Sequence, residues 1–235
     1  MAWTPFPYPG DETRERVIHD TDMRLDHVSY AVGSNELVDT VQRLGQQLGG
    51  SFVDGGRHPR FGTRNFILPL EGRTYVEVVA ALDHPASEKA PFGRAVRRRA
   101  ETGGGWMAWV VSVDDLAPIE HRLGREAVDG HRVRPDGFDL TWQQIGVADV
   151  LDDPSLPFFI HWNCPPAEHP SLVAPAHVAA VSCELAGDKD RIRDYLGGEV
   201  ASPIDSTDIE WVESDEPGLV AVTFRTAKGE LVRVD

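Results

Sequence analysis

A pattern of one strand, one helix and three further strands occurs three times along the chain, and this internal repeat constrains the fold most. The first unit opens with LDHVSYAV (25–32), continues with a helical pattern over 35–50 and closes with three strand-like segments. The second unit opens with WMAWVVSV (106–113), and the shorter third unit with AHVAAVSCEL (176–185). We therefore predict an α+β protein built from βαβββ units.

The repeats divide the chain into three parts. Residues 1–24 are rich in proline and then in charge, and we interpret them as an N-terminal tail. The first two units, over 25–164, form one domain, and a third, shorter unit covers 165–235. The tail carries three aromatic side chains that would dock it onto the folded part: Trp3, Phe6 and Tyr8.

Composition excludes several classes of partner. The chain of 235 residues has 23 Lys and Arg against 38 Asp and Glu, a net charge of −15, which disfavours nucleic acid and anionic membranes. Its two cysteines have no CxxC spacing, so we expect reduced thiols rather than a disulfide framework. Because no apolar run approaches about 20 residues and the first residues do not resemble a signal peptide, we expect a cytoplasmic protein.

Two sequence strings carry a resemblance to a known family: GTRN (62–65) and LPFFIHW (156–162). Together with the repeated units over about 25–164, they resemble the glyoxalase-like domain group of bacterial proteins in the vicinal oxygen chelate superfamily. That resemblance implies the curled half-barrel sheets of the glyoxalase and extradiol dioxygenase fold. It also implies a half-open barrel around a metal, with ligands from the first and last strands of each unit.

Strand alternation predicts which side chains of the first unit line this barrel. In the opening strand, the apolar residues Val28, Tyr30 and Val32 would face the helix, which leaves His27 facing the cavity. In TYVEVVA, Glu77 shares the cavity face with Tyr75. An ionised carboxylate is costly to bury unpaired, and a cation or a histidine beside Glu77 would remove that cost.

The second unit supplies the remaining candidates. The repeat places Trp106 at the position of His27, so one of the superfamily's ligand positions carries no ligand here. In LPFFIHW the apolar Phe158, Ile160 and Trp162 would face outward, which leaves His161 for the cavity. We predict His27, Glu77 and His161 as ligands of a divalent ion (zinc, iron, manganese or nickel), with Glu77 also as the catalytic residue.

Five residues are candidates for substrate binding. Arg64 could clamp a carboxylate, with Asn65 beside it, although an ion pair with a surface acid is the alternative for an arginine there. Either Gln143 or the set of Trp142 and Gln144 faces the cavity, and an exposed edge is the alternative. The predicted substrate-binding set is Arg64, Asn65, Tyr75, Gln143 and Phe159.

Two functions remain open. The first is a metal-dependent lyase, isomerase or dioxygenase acting on a small, oxygen-rich metabolite. The alternative, favoured by Trp106 at a ligand position, is a metal-free protein that binds or sequesters a small molecule and so confers resistance. A third unit without a partner leaves strand edges open, and either a second copy in a homodimer or the N-terminal tail would cover them.

Overall fold

The structure is a computed structural model, and it describes residues 23–198 and 207–235. The aromatic residues of the N-terminal tail, Trp3, Phe6 and Tyr8, therefore lie outside the described residues. Eight strands form a closed barrel: β1 (Arg24–Val32), β2 (Val53–His58), β3 (Thr63–Leu70), β4 (Thr74–Ala81), β5 (Gly105–Ser112), β6 (Val128–Val133), β7 (Asp139–Ile145) and β8 (Phe158–Trp162).

The barrel consists of two four-stranded halves related by the sequence repeat. The strand order around it is β1-β4-β3-β2-β6-β7-β8-β5. Within each half, the first strand is followed by the last, the third and the second, and the two halves meet along two seams. At one seam β1 pairs antiparallel with β5 over most of its length. At the other seam, β2 and β6 meet through one pair, Arg57 with Val133, which closes the barrel that the resemblance predicts to be half open.

Helices cover the outside of the barrel and connect its halves. The long α1 packs a face of Leu37, Leu44 and Leu48 against the sheet and ends at Gly49, whose φ of 69° suits glycine. No helix in the described ranges has the length and apolar character to cross a membrane. The helices are α1 (Leu37–Leu48), α2 (Pro85–Lys89), α3 (Pro91–Glu101), α4 (Ala117–Leu123), α5 (Val147–Asp152) and α6 (Lys189–Leu196).

The third unit has the same order of elements but pairs its strands differently. Its four strands form a separate sheet in the order β10-β9-β11-β12, whereas the first strand of each barrel half pairs with the last. In sequence, α6 lies between the first two of these strands. The strands are β9 (Ala179–Ala186), β10 (Asp208–Trp211), β11 (Gly218–Arg225) and β12 (Leu231–Val234).

The third sheet packs on the outer face of the barrel at β5. Trp106 lies there, with its ring near Tyr30 and Phe224, and its indole N–H donates to the carbonyl of Val234 at 2.9 Å. This tryptophan therefore joins the barrel to the third sheet, and its side chain belongs to the outer core rather than to the barrel interior.

Candidate functional site

The first half of the barrel brings His27 and Glu77 together inside it. Strand β1 pairs in parallel with β4, so that His27 lies opposite Tyr75 and Ser29 lies opposite Glu77. Alternate residues of both strands, such as Val28 and Val76, face the outer core, which leaves His27 and Glu77 pointing inward. His27 Nε2 lies 4.0 Å from Glu77 Oε2, and both side chains line one cavity.

Glu77 is held as an ionised carboxylate although it is buried. Its Oε2 accepts a hydrogen bond from Ser29 Oγ at 2.6 Å, and its Oε1 accepts one from Asn65 Nδ2 at 2.7 Å. Burial raises the pKa of Glu77, but the nearby His27 and these two hydrogen bonds more than offset it, so the net pKa lies below its ordinary value. A carboxylate in this state can accept a proton at neutral pH.

His27 is oriented by the neighbouring Asp26. The Nδ1 atom of His27 lies 2.7 Å from Asp26 Oδ1, and a carboxylate can only accept, so Nδ1 carries the proton. The imidazole ring stacks on Tyr75 with 4.5 Å between ring centroids. These contacts fix the ring, and they leave Nε2 as the atom that faces Glu77 and the cavity.

Asp26 is fully buried and accepts three side-chain hydrogen bonds. Besides His27, the donors to Oδ2 are Trp162 Nε1 at 2.9 Å and His169 Nε2 at 3.1 Å. Burial raises the pKa of Asp26, but the hydrogen bonds from the two histidines bring it well below its usual range. Asp26 therefore stays charged and fixes the His27 ring through Nδ1, the nitrogen on the side away from the cavity.

The second half of the barrel contributes a buried cation. Arg132 on β6 is 2% exposed, lines the same cavity, and donates from Nη1 to Asn65 Oδ1 at 3.1 Å. Since Asn65 Nδ2 bonds Glu77, one amide group connects the guanidinium to the carboxylate. The result is a continuous polar chain across the barrel from Arg132 to Ser29.

Aromatic side chains enclose the cavity on its other sides. Its volume is about 30 Å³, against the roughly 10–15 Å³ that a water molecule needs, so a ligand of few atoms fits. Phe61 and Phe92 pack edge to face with 5.7 Å between their ring centroids, and Trp142 lies beside Phe61. The remaining lining residues are His58, Tyr75, Gln144, Phe158, Ile160 and Trp162.

His58 makes the stability of the protein depend on pH. Burial lowers the pKa of His58 from its ordinary 6.5 to about 3. The unfolded chain therefore takes up a proton below pH 6.5 that the folded chain does not, and stability falls as the pH falls from 6.5 towards 3. We expect His58 to cost about 2 kcal/mol of unfolding free energy between pH 7 and pH 5.

Urea unfolding of wild type and His58→Gln at both pH values measures this cost. The difference between the two proteins should change by about 2 kcal/mol between pH 7 and pH 5. His121→Gln, at an exposed position, is the control. Its unfolding free energy should depend on pH as that of wild type does. Parallel pH profiles for wild type and His58→Gln would contradict the burial of a neutral imidazole.

The structure corrects the expected position of two residues of β8. Strand β8 pairs in parallel with β5, with Val110 opposite Phe158, and this register turns Phe158, Ile160 and Trp162 into the cavity. Phe159 therefore faces outward and stacks on Tyr195. His161 shares that outward side, and its Nδ1 lies 3.1 Å from the carbonyl oxygen of Val113.

Two further predicted binding residues lie outside the cavity. Gln143 faces away from it and bonds Asp129 at 3.3 Å, while the next residue, Gln144, lines the wall. Arg64 is partly exposed and pairs with Asp54 at 3.1 Å, which is the ion pair with a surface acid that the sequence leaves open. Of the predicted substrate-binding set, the structure places Asn65 and Tyr75 on the cavity wall.

The residues present do not fit the expected three-ligand metal centre. Only His27 and Glu77 of the predicted set come together, because His161 lies on the other side of β8. Within residues 23–198 and 207–235, no three His, Cys, Asp or Glu side chains form a group that could hold a metal ion. The charged guanidinium of Arg132 in the same cavity would also repel a cation.

Three polar residues of the site, Arg132, His58 and Asp26, were not predicted from the sequence. Arg132 and Gly130 share one face of β6, and a glycine alternating with an arginine could have indicated an inward-facing position. His58 ends β2 at the corresponding place in the first half. Asp26 is buried next to His27 because the register of β1 against β5 shifts between Leu25 and His27, which strict alternation does not anticipate.

Comparison with solved structures finds proteins that this chain resembles. A hypothetical protein from Staphylococcus aureus is 14% identical, with a TM-score of 0.66 over 91% of this chain and 99% of that chain. Methylmalonyl-CoA epimerase from Mycobacterium tuberculosis is 18% identical, with a TM-score of 0.41 over 61% and 89% of the two chains. A Streptomyces coelicolor methylmalonyl-CoA epimerase variant, in complex with 2-nitronate-propionyl-CoA, is 16% identical with a TM-score of 0.39 over 60% and 98%.

Comparison of the sequence gives the family. No curated protein matches the chain. A family model described as a glyoxalase-like domain matches residues 25–190, which is more than half of the 235 residues. Its match includes both halves of the barrel and the His27–Glu77 pair. The chain therefore belongs to the glyoxalase-like domain family.

Proposed function

We propose that this protein is an enzyme that moves a proton at a carbon atom next to a carbonyl group, and that it does so without a bound metal ion. The observation that carries the proposal is the buried His27–Glu77 pair, held on both sides by fixed hydrogen-bond partners inside a small cavity. Such a pair offers a carboxylate that can accept a proton and an imidazole nitrogen that can exchange one with a bound molecule.

Glu77 is the base in this proposal. Its carboxylate is ionised and faces the cavity, so it can take a proton from a C–H group of a bound molecule. The electron pair of that C–H bond then becomes part of an enolate, and the proton returns to carbon in the second step. The hydrogen bonds from Ser29 and Asn65 fix the carboxylate so that little reorganisation is needed during the transfer.

His27 exchanges a proton with an oxygen atom of the substrate. The distance of 4.0 Å between its Nε2 and Glu77 Oε2 is longer than a hydrogen bond, so an atom of a ligand can contact both groups. Asp26 accepts the hydrogen bond from His27 Nδ1 and so orients the ring, as a buried carboxylate does behind other catalytic histidines. Isomerisation and elimination both follow from this pair of steps, and the reaction class is therefore isomerase or lyase.

Incorporation of solvent deuterium tests the proposal whatever product the enzyme forms. The protein is treated with EDTA and incubated in D₂O with hydroxyacetone, dihydroxyacetone, pyruvate and 2-oxobutanoate, and proton NMR follows the C–H groups beside the carbonyl. We expect exchange well above the rate without protein for at least one compound. Exchange that appears only after Zn²⁺, Mn²⁺, Fe²⁺ or Ni²⁺ is added, or no exchange with any compound, would contradict the proposal.

A further inference from the structure

The guanidinium of Arg132 carries hydrogen-bond donors that nothing in the described residues accepts. Its Nη1 bonds Asn65, but its Nε and Nη2 atoms are buried without a hydrogen-bond partner. The side chain is 2% exposed and lines the barrel cavity. Because buried donors are nearly always paired, two unpaired nitrogens on a residue that lines a cavity indicate a missing acceptor.

Another arginine of the chain binds a carboxylate through the same two nitrogens. In the third sheet, Arg233 Nε lies 2.6 Å from Glu184 Oε1, and its Nη2 lies 2.9 Å from Oε2. This side-on arrangement, with two parallel hydrogen bonds, matches the spacing of the oxygens of a carboxylate. The two unpaired atoms of Arg132 form the same edge of the guanidinium, so they fit a carboxylate as well.

No carboxylate of the cavity neutralises Arg132 directly. Asn65 lies between it and Glu77, and both oxygens of Glu77 already accept hydrogen bonds from Ser29 and Asn65. Burial lowers the pKa of Arg132, which reflects the cost of keeping this cation away from water. An anionic ligand would offset that cost within the cavity.

The cavity also offers a neutral donor. Gln144 is buried on the cavity wall, and its Oε1 accepts a hydrogen bond from Trp142 Nε1 at 2.8 Å. Its amide nitrogen is therefore left to donate to a carbonyl oxygen of a ligand. With a volume of about 30 Å³, the cavity favours a ligand of few atoms.

We infer that the barrel cavity binds a short 2-oxo carboxylate, whose carboxylate lies on Nε and Nη2 of Arg132 and whose oxo group accepts from Gln144. This inference names the substrate class of the proposed function and rests on it for the reaction. Glu77 takes the proton from the carbon beside the oxo group, and the C–H electron pair forms the enolate. The proton then returns to carbon, so no oxidant or other reactant is required.

Calorimetric titration with pyruvate and its uncharged analogue pyruvamide tests the assignment. We expect wild type to bind pyruvate at least tenfold more tightly than pyruvamide, because only the carboxylate makes two charged hydrogen bonds. Arg132→Gln should weaken pyruvate binding about 10- to 100-fold and pyruvamide binding much less. Arg57→Gln, an equal change of charge at an exposed position of β2, is the control and should bind pyruvate as wild type does.

Further measurements separate this inference from the proposed function. Arg132→Lys keeps the charge but loses the paired hydrogen bonds, so it should bind pyruvate more weakly than wild type. This variant tests the site independently of whether Arg132→Gln folds. Glu77→Gln should still bind pyruvate, since Arg132 is intact, while it loses exchange. The carboxylate site would be overturned if the protein catalysed exchange but bound pyruvate and pyruvamide with equal affinity. It would also be overturned if pyruvate, chloride and phosphate bound equally well. Pyruvate binding through Arg132 without exchange would overturn only the proposed reaction.

Discussion

Glu77→Gln should reduce the rate of deuterium exchange about 100- to 10,000-fold, the usual range for loss of a positioned general base. The amide has nearly the shape of the carboxylate and can still accept from Asn65 and bond Ser29, so the barrel should remain folded. Its nitrogen cannot accept the proton, and this is the physical reason for the loss. Proton NMR of the same carbonyl compounds in D₂O measures the rate.

Glu71→Gln is the matched control for this substitution. It makes the same chemical change at an exposed position in the turn between β3 and β4, and it should exchange at the rate of wild type. Circular dichroism and the melting temperature establish that both variants are folded. A folded Glu77→Gln protein that keeps the exchange rate of wild type would show that another group accepts the proton.

Asp26→Ala should cost about 3–5 kcal/mol of unfolding free energy, because it removes one partner of a buried charged network. Three donors would lose their acceptor: His27 Nδ1, Trp162 Nε1 and His169 Nε2. The carboxylate is fully buried, so water does not replace it in the folded protein. Urea unfolding at pH 7, monitored by tryptophan fluorescence, measures the loss.

An exposed aspartate–histidine pair in the same barrel provides the comparison. Asp139 lies 2.9 Å from His131 Nδ1, but its side chain is 54% exposed, against 0% for Asp26. Asp139→Ala should therefore cost less than about 1 kcal/mol. Similar losses for the two substitutions would contradict the structural role given to Asp26, since burial is the main difference between the two pairs.

Alternation predicted the inward positions of β1 and β4 because those strands have one apolar and one polar face. Val28, Tyr30 and Val32 all lie in the outer core, and His27 lines the cavity. Strand β8 has large apolar residues on both faces, so polarity alone does not decide its orientation. Its register against β5 does, and that register depends on tertiary pairing rather than on the local sequence.

Sequence analysis missed several polar residues, each for a physical reason. A bulge places Asp26 inside although strict alternation assigns it to the helix side. Arginine is seldom buried, so nothing in the sequence indicated that Arg132 lies inside the barrel, where it is 2% exposed. The strand order of the third sheet likewise could not be predicted, because the pattern of elements is the same for either pairing.

Metal content and exchange rate, measured on the same protein, test the central claim most directly. Protein purified without chelator is analysed by plasma mass spectrometry and then assayed for deuterium exchange before and after EDTA. The account predicts far less than one divalent ion per chain and an exchange rate that EDTA leaves unchanged. One tightly bound ion per chain, with an exchange rate that falls as the ion is removed, would contradict it.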